Sequence, residues 1–113
     1  MISIISFTSS GFKIGKKIEN NFANCKHYFH KELDIKISSL MKNIYEESQA
    51  IIFISATGIA VRMISPYIKN KKVDPAVVVI DDQGKFIIPL LSGHLGGSNE
   101  LSKKISEIFP KST

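Results

Sequence analysis

The sequence predicts an α/β fold: a three-layer sandwich with a mostly parallel sheet, one antiparallel hairpin, and helices on both faces. Three observations lead there. Short runs of Ile, Val and Phe alternate with stretches whose apolar residues recur every three or four positions, the rhythm of repeated strand–helix units. Two of the runs, Ala50–Ser55 (AIIFIS) and Ala76–Ile80 (AVVVI), carry almost no polar residue, as strands covered on both sides do not. The third observation is Asp81-Asp82-Gln83-Gly84, a tight polar turn between two apolar runs, which marks a hairpin. A chain of 113 residues makes one domain, 1–113, with room for a core.

The elements follow in order. Met1–Phe7 is Ile-rich and stops at Thr8-Ser9-Ser10-Gly11, so it reads as a buried first strand. Ile14, Ile18 and Phe22 then lie at steps of four, a narrow helical stripe with Ser9 or Ser10 as its N-cap. The tract Gly11 to Lys17 is too short between its glycines for a phosphate-binding P-loop and has Lys17 where Ser or Thr is needed. Cys25–His30 reads as a second strand; His27 and His30, three apart, would point to opposite faces, and both are expected at the surface. Ile37, Leu40, Met41, Ile44 and Tyr45 give the clearest helical stripe in the chain. After the strand Ala50–Ser55, Ala56-Thr57-Gly58 opens a helix; Pro66 ends or kinks it, or starts a short new turn. Pro89 removes a ladder donor from the returning hairpin strand, which places that strand at an edge or gives it a bulge. Leu101, Ile105, Ile108 and Phe109 form the face of the last helix, closed by Pro110.

Composition excludes several classes. The chain is 43% hydrophobic and 22% charged, values of an ordinary globular protein. Its net charge is +5, but fourteen of fifteen cations are Lys and they are scattered, whereas base readout and phosphate clamps favour Arg. No nucleic-acid partner is expected. No apolar run approaches the roughly 20 residues that span a bilayer, so no membrane association is expected either. Cys25 is the single cysteine, which excludes an intrachain disulfide and suits a reducing, cytoplasmic setting.

Two strand–glycine–helix corners carry the chemistry. The first is Thr57-Gly58, with Arg62, the one arginine, a turn further on and suited to a carboxylate. The second runs from Ser92 to Asn99, with Gly93, Gly96 and Gly97 around His94. Such corners leave amides unpaired beside the positive end of a helix dipole, where an anion or polarised carbonyl fits. The turns after Phe7, Ser55 and Leu91 are expected at one edge of the sheet if their strands run parallel, and both corners are expected to converge on a common hollow. The spacing Gly93-His94-Leu95-Gly96-Gly97 does not match a dinucleotide fingerprint. A purely structural role, with His94 as a cap and the glycines allowing tight packing, is also compatible with the residues.

Ser55-Ala56-Thr57-Gly58-Ile59-Ala60-Val61-Arg62, Asp74-Pro75-Ala76-Val77-Val78-Val79-Ile80-Asp81 and Leu90 to Leu101 (LLSGHLGGSNEL) together resemble the N-terminal region of the CbiG family, the cobalt-precorrin-5A hydrolases of anaerobic cobalamin biosynthesis. The first half of the chain, up to Gln49, matches only in its strand–helix rhythm. The resemblance implies opening of the δ-lactone of cobalt-precorrin-5A with loss of acetaldehyde, giving cobalt-precorrin-5B. It also implies a longer protein with a C-terminal domain, in the same chain or as a separate subunit, and is compatible with a homodimer. No cofactor or protein-bound metal is implied, because the cobalt arrives in the tetrapyrrole substrate. Lactone opening needs a base and oxyanion donors. His94 suits the base, and the amides of Gly93, Gly96 and Gly97 suit the oxyanion. Asn99 and Arg62 would orient carboxylates; Thr57, Gly58 and Ser92 would add contacts. The alternative is a non-catalytic α/β module that binds a tetrapyrrole or another polyanion.

Overall fold

The computed structural model describes residues 1–70, 72–91 and 97–113. Five strands form one sheet: β1 (Ile2–Ser6), β2 (Cys25–Phe29), β3 (Ala50–Ile54), β4 (Ala76–Ile80) and β5 (Ile87–Leu91), in the order β2-β1-β3-β4-β5. The first four run parallel and β5 is antiparallel to β4. Among the described residues, four α-helices flank the sheet, α1 (Ser9–Asn21), α2 (Ile37–Glu47), α3 (Thr57–Ile64) and α4 (Gly97–Ile108), with short 3-10 turns at His30–Glu32 and Ser65–Tyr67. This is the expected sandwich with its hairpin. Pro89 sits on an edge strand, and the register skips between Val77 and Val78, so both of its expected consequences occur together.

Every residue of β3 and β4 is buried. Their apparent lack of alternation hides a period of two. Ala50, Ile52 and Ile54 with Ala76, Val78 and Ile80 pack beneath α1 and α4, against Ile18, Leu101, Ile105 and Phe109. Ile51 and Phe53 with Val77 and Val79 face α2 and α3, against Ile37, Met41, Ile44, Ala60 and Ile64. Full burial of each such side chain contributes roughly 1.5–3 kcal/mol, so neither face of the sheet can be left open.

Two local expectations are corrected. The N-cap of α1 is Thr8, not Ser9 or Ser10: its Oγ1 accepts from the Gly11 amide at 2.9 Å. Placing the cap one residue earlier frees Ser10 to donate to Asp82 at 3.2 Å. His27 is not a surface histidine, for its side chain is only 6% exposed. It shares a 2.7 Å hydrogen bond with the buried Ser6 hydroxyl, stacks on Phe12 and lies 3.9 Å from a Glu19 carboxylate oxygen. Gly15 of α1 makes room for it. A Cβ on Gly15 would stand 2.5 Å from His27 Cε1 and 3.0 Å from Ile54 Cδ1.

Gly15→Ala is therefore expected to destabilise the fold by about 1–3 kcal/mol through overpacking, although alanine is the better helix former. A lowered urea midpoint measures this, and an unchanged or raised midpoint refutes the close approach. His27 gives a pH signature. Burial pulls its imidazole below the ordinary 6.5, with Glu19 opposing, Lys16 adding to the lowering and Glu32 opposing. The unfolded chain thus takes up this proton first, and stability falls as pH drops below about 6.5. Thermal melts between pH 7 and 5 should show that slope, flattened in His27→Gln; equal slopes in both proteins would refute it.

Candidate functional site

At the carboxyl edge of the parallel strands, the chain leaves β1 toward α1 and leaves β3 toward α3. Those helices pack on opposite faces, so the two connections diverge and open a crevice between them. Phe7 and Thr8 form one wall, Ser55 and Ala56 the other, and Asp81 and Asp82 close the end of a cleft of about 350 Å³. Both acids have local work. Asp81 Oδ1 accepts the Lys85 and Phe86 amides at 2.7 Å each and so holds the hairpin turn. Asp82 Oδ2 accepts from the Ser10 and Thr8 hydroxyls, at 3.2 and 3.4 Å. Two carboxylates in the crevice make it a poor host for another anion. In the sequence these residues read as a turn, and the sheet order shows that this turn faces the crevice. Their position directly after a buried parallel strand was the available signal.

Thr57 and Gly58 begin α3 and, unlike Ala56 before them and Ile59 after them, do not line the crevice. Ala56 is the N-cap and offers no side-chain acceptor. The Ile59 and Ala60 amides return to the Ala56 carbonyl, at 3.2 and 3.4 Å, while the Thr57 and Gly58 amides find no acceptor among the described residues. A Cβ on Gly58 would meet nothing within 4 Å; the surface above it is open. Among the described residues these are two donors without a protein acceptor at the positive end of a helix.

Arg62 lies one turn further on, exposed, and forms no ion pair among the described residues. It does not border the crevice. It borders a second hollow, of about 360 Å³, between α2 and α3, whose walls are mainly Met41, Ile59, Met63, Pro66 and Tyr67. Ile59 belongs to both cavities and forms the ridge between them. The Tyr67 ring packs 6.0 Å from that of the buried Tyr45. Arg62 stands out in the sequence, and Met41 lies in the core as its place in the helical stripe implies. Met63 and Tyr67 do not stand out, because a hollow between two helices depends on their separation.

The second corner is divided. Ser92, Gly93, His94 and Gly96 lie outside the described residues. Its flanks are placed: Leu91 pairs with Val77, and Gly97 lies 3.8 Å, measured from a Cβ built on it, from the Ala76 side chain. Both flanks thus stand at the amino edge of the parallel strands, because β5 runs backward. Ser98 is buried and Asn99 exposed at the start of α4. The shared edge is expected only for parallel strands, and β5 runs antiparallel, so Leu91 ends at the opposite edge from Phe7 and Ser55. Four steps along β4, about 13 Å at 3.3 Å per residue, separate the level of Gly97 from that of Thr57. The helices differ as well: α3 covers one face and α4 the other. The described parts of the two corners therefore do not line one hollow.

Comparison with known proteins places this geometry. Residues 39–112 match the family model described as Cobalamin synthesis G N-terminal. The cobalt-precorrin-5A hydrolase of Priestia megaterium is 35% identical over 117 aligned positions, covering 92% of this chain and 31% of that protein. The cobalt-precorrin-5A hydrolase of Salmonella typhimurium is 56% identical over 57 residues, covering 50% of this chain and 16% of that protein. The chain thus spans about a third or less of the length of these curated relatives. A crystal structure of a cobalamin biosynthesis protein G homolog from Sulfolobus solfataricus superposes with a TM-score of 0.79 at 32% identity, over 98% of this chain and 35% of that one. With its motif-bearing half inside the family model and its whole fold shared with a homolog, this chain belongs to the cobalamin synthesis G N-terminal family.

Proposed function

We propose that this chain forms the amino-terminal part of an enzyme that opens the δ-lactone of cobalt-precorrin-5A, releasing the two-carbon unit as acetaldehyde and leaving cobalt-precorrin-5B. The observation that carries the reading is the family match over residues 39–112, joined to relatives named for that hydrolysis. His94 serves as general base, taking a proton from the water that attacks the lactone carbonyl. Amides of Gly93, Gly96 and Gly97 receive the developing oxyanion. Ser92 and Asn99 contact the substrate beside them, while Thr57, Gly58 and Arg62 bind carboxylates of its periphery. No resident cofactor takes part; cobalt enters and leaves within the tetrapyrrole. The remaining length seen in the relatives supplies the partner domain, and the reaction belongs in the cytoplasm. No described helix is long and apolar enough to cross a membrane.

One observation favours a second reading. Thr57 and Arg62 stand at the carboxyl edge, and the flanks of the stretch that carries His94 stand at the amino edge. A chain with its described carboxylate-binding corner so placed suits a substrate-holding module whose chemistry is completed by the rest of a longer protein.

Acetaldehyde trapping separates the two. Incubated with cobalt-precorrin-5A, the chain should release acetaldehyde, with the full-length Priestia megaterium relative as the positive control. His94→Ala should lower that release by about 10²–10⁴-fold, the usual contribution of a general base. Wild-type release from the variant would remove His94 from that role. Substrate binding by the chain without release, alongside an active control, would establish the holding module in place of the hydrolase.

A further inference from the structure

We propose that the hollow between α2 and α3 is a tetrapyrrole-carboxylate subsite, in which the apolar edge of a macrocycle sits against Ile59, Met63 and Tyr67 and one peripheral carboxylate pairs with Arg62. The ligand's class rests on the functional reading above. The place rests on geometry.

Ile59, Arg62, Met63 and Pro66 fall at i, i+3, i+4 and i+7, one stripe along α3 and the residues after it. That stripe faces Met41 and Ser38 of α2 across the hollow. Its walls are almost wholly apolar, yet Ile59 is left 40% exposed. Set into this surface is a guanidinium with no acidic partner among the described residues. An apolar wall with one planar, bidentate cation matches a ligand that has an apolar body and a carboxylate on its rim. It does not match a nucleotide, whose phosphates would demand more cations.

Gly58 stands four residues before Arg62, in the same column of the helix surface, with open space above it. The unpaired Thr57 and Gly58 amides can therefore take a second carboxylate of the same ligand. The ridge at Ile59 sets the limit on the other side. Beyond it the crevice holds Asp81 and Asp82, which repel a carboxylate and confine the ligand to the α3 side. Tyr67, packed on Tyr45, keeps the floor in place before the ligand arrives.

Titration of the chain with coproporphyrin III, a propionate-bearing tetrapyrrole, tests this through the shift of its Soret band. Saturable binding is expected, with Arg62→Gln weakening it about tenfold and reducing its salt dependence. Ile59→Asp should abolish it, while Lys103→Gln, exposed on α4, should leave it unchanged. Circular dichroism melts confirm that the variants remain folded, since Ile59 and Arg62 are both exposed. Absent binding, or equal affinity in all four proteins, overturns the subsite. The two readings can fail separately. Arg62-dependent porphyrin binding without acetaldehyde release would keep the subsite and remove the hydrolase; release by Arg62→Gln with wild-type KM would do the reverse.

Discussion

Two strands without a polar face constrain everything else. β3 and β4 are buried along their full length, and a sheet centre of that kind is stable only with helices on both sides. The chain must therefore cross from face to face between strands. The point where it changes direction, between β1 and β3, opens the crevice at the carboxyl edge. The cleft is a by-product of covering two apolar faces with a continuous chain. Polar groups inside the sheet obey the same demand: Ser3 bonds to Ser48, and Ser6 to His27, so neither buried hydroxyl lacks a partner.

The reversal of β5 has the largest functional consequence. A hairpin of two five-residue strands returns the chain to the edge from which β4 started, and α4 then begins beside Ala76. The described flanks of the second corner, Leu91 and Gly97, thereby stand at a different edge from Thr57 and Gly58. The similarity of the two corners is local, whereas the positions of these residues follow from strand direction. A longer protein can use such an arrangement by presenting separate surfaces to a large substrate or to its other domains.

Electrostatics at the carboxyl edge is sorted at close range. The net charge of +5 does not make every opening there attractive to anions. Asp81 and Asp82 make the crevice acidic, and Ile59 lines both it and the hollow beside Arg62. Scattered lysines set the distant field. Single residues decide which opening an anion enters.

The residues by themselves determined the fold class and the elements, because Ile and Val runs and the stripe from Ile37 to Tyr45 encode burial directly. They also determined the family, through motifs between Ser55 and Leu101, and they singled out Arg62 as a lone guanidinium. They did not determine the cap at Thr8, the burial of His27 under Gly15, or the hollow that Met63 and Tyr67 complete. Each of these depends on contacts between residues distant in the chain, which local periodicity does not report. The separation of the two corners' described parts was the largest such decision. The hairpin signal at Asp81–Gly84 already implied the reversal of β5; which face α3 and α4 each cover, and that α4 restarts level with Ala76, are set by packing across the sheet.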